Sequence, residues 1–311
     1  MANNLHHELA VQYVGICGSD LQKLRSDEPP QLTDLGHEVV ASYDGEYAAI
    51  NPMIECGGCP PCQQDSPMHC DDLQAVGRNL PGGLSGSITV PEQNIVAVDY
   101  DIPELGVLCD PYAVAVHGLE RTEQSSEMMI VGDGVLSQLC LTYLALNRTT
   151  LERCTLVTKD ASRIHAMQEA YQKTLRDYGI EFQCLDASSP QIEAERPQTV
   201  IEAVGRGQSS TLNLAIEAVQ NRGTILSFGV FPIGYAAGLT IRTLLYKEVS
   251  LRGSNSYNHG DFARAASQIG QNQDLFMPML GETYDIQDAG TAIAAASTGS
   301  NPIPKKVVVA L

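Results

Sequence analysis

Positive charge is scarce in this sequence. Among 311 residues, 19 Lys and Arg stand against 37 Asp and Glu, a formal net charge of −18. A surface this acidic repels phosphate backbones and anionic lipid headgroups, which argues against nucleic acid and membrane surfaces as partners. Long hydrophobic runs are missing too: none approaches the roughly 20 apolar residues that span a bilayer. The polar N-terminus, Met1 to Leu9, has no apolar signal-peptide core, so the chain reads as cytoplasmic. The lack of an export signal and the odd count of nine cysteines argue against a disulfide scaffold. Internal repeats and low-complexity segments are absent as well.

What is present suits a globular chain of two domains, with 43% apolar and 18% charged residues. The first third is rich in Gly, Pro and short β-type runs: Glu8 to Val14, Val39 to Ala41, Ser87 to Val90 and Asn94 to Val98. These predict a β-rich, barrel-like domain. From about residue 113 the character changes. Met128 to Val131 reads as a buried strand and Val135 to Leu146 as an apolar helix. Strands at Cys154–Thr158, Thr199–Ala203 and Gly223–Phe228 then alternate with helices at Ser162–Tyr178 and Ser209–Gln220. That alternation predicts an α/β domain with a parallel sheet covered on both faces. The tail, Lys305 to Ala310, reads as a late strand able to rejoin the first domain.

Four cysteines crowd into fifteen positions: Cys56, Cys59, Cys62 and Cys70. Four thiolates on a loop that Gly and Pro can reverse sharply suit a tetrahedral sulfur cage. Such a closed site has no open position and is structural. Zinc is the favoured occupant, with an iron–sulfur cluster and unrelated buried cysteines as the alternatives.

A second constellation precedes it: Cys17 within Gly15-Ile-Cys-Gly-Ser-Asp20, then the His37-Glu38 pair. Thiolate, imidazole and carboxylate could hold a catalytic zinc with one position open. Each piece alone is weak, since a lone Cys is more often a small core residue. Their order, with the four-cysteine loop next, resembles the zinc-containing medium-chain dehydrogenase/reductase family, which includes alcohol, sorbitol and threonine dehydrogenases. Further matching segments are Cys109 to His117, Met129 to Gly134, Val200 to Gly205, Thr224 to Gly229 and Ser250 to Ser254.

The resemblance implies a Rossmann doubly wound domain over 113–254 and an N-terminally trimmed, GroES-like catalytic domain over 1–112 and 255–311. It implies a catalytic zinc on Cys17 and His37, with Glu38 as a direct or switching ligand. Asp110 stands where relatives place Glu or Cys, and either ligates directly or holds the metal-bound water. Ser19 would pass the alcohol proton outward. Many relatives finish that relay with a His, where this chain has Gln22. Two zinc ions per chain are thus expected, together with an alcohol or carbonyl substrate of polyol, sugar-derived or amino-alcohol type. A dimer or tetramer is expected by the same analogy. His69 and His117 lie near these motifs and receive no role.

Gly132-Asp-Gly134, between an apolar strand and an apolar helix, is the setting of a dinucleotide fingerprint, with Ser137 in place of the third glycine. Cofactor-binding residues implied with it are Gly132, Gly134, Val135, Leu136, Thr158, Lys159, Arg163, Ala203, Val204, Gly205, Phe228 and Gly229. Thr158 stands where NAD enzymes keep Asp, and Lys159 follows, so NADP(H) is favoured over NAD(H). A one-residue slip of the strand end, toward Asp160, would reverse that choice. Two rival functions remain: a scaffold that has lost turnover, and a lyase or isomerase that retains its cofactor.

Overall fold

The computed structural model describes residues 5–204, 208–230, 238–298 and 301–311. The chain divides into two compact units. One comprises Met1–His117, Ser256–Ser300 and Lys305–Leu311, and the other Gly118–Asn255 with Asn301–Pro304.

The first unit is built on a seven-stranded sheet. Its order is Leu280–Asp285, Lys306–Ala310, His6–Gly15, Glu38–Tyr43, Glu46–Ile50 and Ile95–Ala97, and Ser87–Pro91 also pairs with His6–Gly15. The C-terminal strand lies antiparallel to the first one, with Tyr13 opposite Ala310 and Gly15 opposite Val308. The sequence pattern located His6–Gly15, Glu38–Tyr43 and Ser87–Pro91 but not Glu46–Ile50 or Leu280–Asp285. Val14, Val39, Ala41, Ile50, Val90 and Val309 share one buried cluster. Alternating apolar positions reach it from adjacent strands, because successive side chains leave opposite faces of a strand.

The second unit is a six-stranded, fully parallel sheet. Its order is Glu181–Asp186, Arg153–Thr158, Glu127–Val131, Thr199–Glu202, Thr224–Ser227 and Ser250–Gly253. Numbered along the chain this is 3-2-1-4-5-6, the doubly wound order, whose direction reverses between Glu127–Val131 and Thr199–Glu202. Met129, Ile130 and Val131 are buried on both sides, as strands covered by helices on two faces require. The helix Val135–Asn147 follows directly, with Gly134 at its N-cap and nearly every side chain buried. Helix Ala161–Asp177 starts on Asp160, whose carboxylate accepts from the Ser162 backbone N–H. Among the described residues no helix is long and apolar enough to cross a membrane.

Candidate active site

Cys17 ends the first strand's extension and caps the short helix Gly18–Lys23. Asp20, one turn on, is buried. Its Oδ2 accepts from the Cys17 backbone N–H at 3.0 Å, and its Oδ1 lies 3.5 Å from His37 Nδ1. Asp20 thus sets a negative charge beside His37 Nδ1, which is buried without a hydrogen bond, and Nε2 lies 3.9 Å from Asp110 Oδ2. Glu38 opens the next strand and is fully buried. One ligand atom each from Cys17, His37 and Glu38 lies within 4.8 Å of the others.

The two oxygens of Glu38 have different surroundings. Oε1 accepts from Lys306 Nζ at 2.6 Å, an ion pair between the second and last strands. Oε2 is buried with no hydrogen-bond partner. A Cβ on Gly15 would stand 2.3 Å from Oε2, so glycine leaves room for that oxygen. A buried carboxylate oxygen without a partner is costly unless a cation completes it. Burial opposes the charge on Lys306, yet the Glu38 carboxylate wins and raises the amine's pKa. Burial likewise works against the His37 cation, but Cys17, Asp20 and Asp110 together raise its pKa well above the ordinary value. A proton held there must leave when a metal binds. The donor set thus fits a divalent ion of borderline softness such as zinc.

Asp110 is not within that 4.8 Å group. It sits in the first turn of helix Cys109–Glu120, with Oδ2 3.9 Å from His37 Nε2, and its Oδ1 accepts from the buried Tyr257 hydroxyl. Ser19 is half-buried beside Cys17, whereas Gln22 is exposed. His117 is turned to Asp261, Nδ1 to Oδ2 at 2.5 Å.

The thiols of Cys56, Cys59, Cys62 and Cys70 also converge within 4.8 Å of one another. All nine cysteines are free. Backbone N–H groups already point at sulfur: Cys56 and Asp72 donate to Cys70 Sγ at 3.3 and 3.4 Å. Backbone donation from Asp71, then Cys62, lowers Cys59 to about 7, while lost solvation pushes Cys62 up to about 12. Four sulfurs this close without disulfides fit a closed metal cage. His69 is exposed beside it.

In the second unit, Gly132 has φ +120°, and a Cβ there would press on Val204, Ala203 and Ser137. Ser137, buried in the helix, stands where a third glycine would and packs against the first. A cavity of about 400 Å³ opens at this end of the sheet, lined by Gly132, Asp133, Thr158, Lys159, Val204 and Thr211 among others. Val135 and Leu136 begin the helix above it, half-buried. Arg163 is bound to Asp133 and Asp160. Phe228 is buried, and its ring lies where a Cβ on Gly118 would fall. Gly229 follows it, and Gly205 lies outside the described residues.

Residues 6–100 match the family described as "Alcohol dehydrogenase GroES-like domain". L-galactonate-5-dehydrogenase of Escherichia coli K12 is 23% identical over 89% of this chain and 83% of its own length. L-idonate 5-dehydrogenase (NAD(P)(+)) of the same organism is 26% identical over 91% of this chain and 85% of its own. The crystal structure of L-idonate 5-dehydrogenase from E. coli superimposes with TM-score 0.82 at 22% identity, covering 99% of this chain and 92% of that one. Residues 6–100 thus belong to the GroES-like domain family of alcohol dehydrogenases, and over nearly its whole length the chain is similar to dehydrogenases of the medium-chain dehydrogenase/reductase type.

These similarities support an oxidoreductase of the alcohol dehydrogenase type. The sites contain residues that sequence reasoning passed over. Asp20 was visible three positions after Cys17, the spacing that returns a side chain to a helix N-cap. Lys306 was visible as a cation in the otherwise apolar run Lys306–Ala310. Tyr257 and Asp133 carried no such signal.

Proposed function

We propose that this medium-chain enzyme interconverts an alcohol of a polyol or sugar acid with its carbonyl, using zinc and a nicotinamide dinucleotide. The observation that carries this reading is the convergence of Cys17, His37 and Glu38 around a buried carboxylate oxygen without a partner. Relatives named for galactonate and idonate oxidation support the substrate class.

When bound, zinc supplies a Lewis acid for the reacting oxygen, and the nicotinamide ring takes or gives the hydride. Cys17, His37 and Glu38 would hold the ion, and Asp110 would stay outside the ligand set as a hydrogen-bond acceptor. Asp20 places its charge beside the His37 ring, and Lys306 fixes Glu38 Oε1 so that Oε2 is the oxygen left to ligate. Ser19 stands beside Cys17 to receive the substrate hydroxyl's proton. Gln22 cannot carry that proton by titration, so solvent completes the exit. Cys56, Cys59, Cys62 and Cys70 would hold a second, structural zinc. Free thiols throughout suit a reducing, cytoplasmic setting. Ile241, Leu245 and Tyr246 expose apolar surface beside the edge strand Ser250–Gly253, which suits association of like chains.

The test is a screen of polyols, sugar acids and their carbonyl forms with both coenzymes, following absorbance of the reduced nicotinamide. The wild-type chain should bind two zinc ions and show net coenzyme turnover, which a lyase or isomerase would not. Cys17→Ala should lose turnover by about 10³-fold or more and keep one zinc, a loss on the scale of a removed transition-state stabiliser. Undiminished turnover in Cys17→Ala would overturn the reading.

A further inference from the structure

Coenzyme choice in a doubly wound domain is made at the end of its second strand, where an acid reads the adenosine ribose diol and hydroxyl or basic groups read a 2′-phosphate. Here that strand, Arg153–Thr158, ends on a hydroxyl. The hydroxyl is already engaged. Thr158 Oγ1 accepts from the Asp160 backbone N–H at 3.0 Å and donates its proton to Asp133 Oδ2 at 2.6 Å. Arg163 is engaged too. Its Nη1 lies 3.2 Å from Asp133 Oδ2 and its Nε 3.1 Å from Asp160 Oδ2. Of the three groups suited to a 2′-phosphate, Thr158, Lys159 and Arg163, two are thus committed to carboxylates.

Asp133 comes from the glycine-rich turn, between Gly132 and Gly134, and lines the same cavity as Thr158 and Lys159. Its Oδ2 receives both bonds just named, and Oδ1 takes part in neither. The side chain is 19% exposed, reachable from the cavity yet held in one place. We propose that Asp133 supplies the ribose-reading carboxylate that the strand end lacks, so that the site prefers the diol of NAD(H) to the 2′-phosphate of NADP(H). The proposal rests on the dinucleotide reading given above.

The chemistry is one of matching donors to acceptors. A ribose diol offers O–H donors, and a carboxylate only accepts. A 2′-phosphate carries acceptors and negative charge, and would meet Asp133 with like charge. Among the described residues around this carboxylate the cations are Lys159 and Arg163, matched in number by Asp133 and Asp160.

Binding of NADH and NADPH to the full-length, zinc-loaded protein, followed by reduced-nicotinamide fluorescence and checked by calorimetry, tests this without reference to turnover. The wild type should bind NADH at least about tenfold more tightly than NADPH. Asp133→Asn keeps an oxygen for Thr158 and removes the charge; it should shrink the NADH:NADPH preference by about tenfold or more, the scale of a hydrogen bond to a charged group. Thr158→Val removes the bond that positions Asp133 and should weaken NADH binding more than NADPH binding, whereas loss of a phosphate-reading hydroxyl would weaken NADPH selectively. Preference for NADPH in the wild type, an unchanged ratio in Asp133→Asn, or a selective loss of NADPH in Thr158→Val would each overturn the proposal. Failure of both coenzymes to bind would sink the dinucleotide reading along with it. Binding of both with the wrong preference sinks only the role of Asp133.

Discussion

Asp110 shows how one side chain's role depends on who holds it. An aspartate reaches one methylene less far than the glutamate of many relatives, and Tyr257 fixes its Oδ1. The phenol is buried, and burial followed by the Asp110 charge raises its pKa well above the ordinary value, so it stays protonated and donates. Its ring packs on Phe262 at 5.7 Å between centroids, which leaves the hydroxyl aimed at the carboxylate. Asp110 Oδ2, 3.9 Å from His37 Nε2, is too far for a hydrogen bond to that nitrogen. Under the proposed function this oxygen would accept from a substrate hydroxyl. Tyr257→Phe keeps the ring and deletes the donor. The expected loss is about 1.5–3 kcal/mol, roughly 10- to 100-fold in kcat/KM, with two zinc ions still bound. Steady-state kinetics beside metal analysis decides it. An unchanged kcat/KM would remove Tyr257 from the site, and a lost zinc would make Asp110 a ligand after all.

At the scale of elements, the four-cysteine loop is held at both ends of its turn. Glu55, just before Cys56, takes His259 Nε2 at 2.9 Å, and Asp65 accepts from Asn258 Nδ2 at 2.9 Å. Both partners lie at the start of helix His259–Gln271. A loop with so few apolar anchors of its own depends on its ion for stability. Cys62→Ser should halve the zinc content and destabilise the chain by about 3 kcal/mol, within the range for loss of a metal site. Denaturant unfolding with metal analysis checks both. Retention of two zinc ions would show that Cys62 is not a ligand.

The same elements show what the sequence could disclose. Strands buried on both faces, such as Glu127–Val131, were legible as apolar runs. Glu181–Asp186 was not, because polar Glu181, Gln183 and Asp186 interrupt its apolar residues at the sheet's edge. Cys17, His37 and Glu38 were legible through their order along the chain. Lys306 was visible as a lone cation but its pairing was not, and Tyr257 gave no signal, because their roles arise from partners 268 and 147 positions away. No local periodicity encodes such a pairing. Thr158 was read correctly as a hydroxyl at a strand end, but its partner Asp133 appears only when the turn folds over it.

Across the whole molecule, charge is unevenly shared. The first unit holds only Lys23, Arg25, Arg78, Arg264, Lys305 and Lys306 as permanent cations, against most of the chain's 37 carboxylates. Three of these lie by the residues proposed to hold the metal. Lys306 binds Glu38, and Lys23 donates to the Gly77 carbonyl. Gly77 itself lies against the backbone of Gly36 and His37, where an added Cβ would come within 2.9 Å, and Arg78 is the next residue. The Arg78 charge is felt at both the Lys23 amine and the Tyr257 hydroxyl. An acidic surface repels anions at long range, so cations gathered at one place in it select for an anionic group there. A sugar acid should therefore be turned over with a lower KM than the polyol of the same carbon chain. Arg78→Ala should raise KM for the acid by about tenfold, equivalent to ~1.4 kcal/mol, with kcat nearly unchanged and the polyol unaffected. Paired kinetics on the two substrates reads this directly. Equal effects on acid and polyol would show that Arg78 serves the fold of the loop and not the recognition of charge.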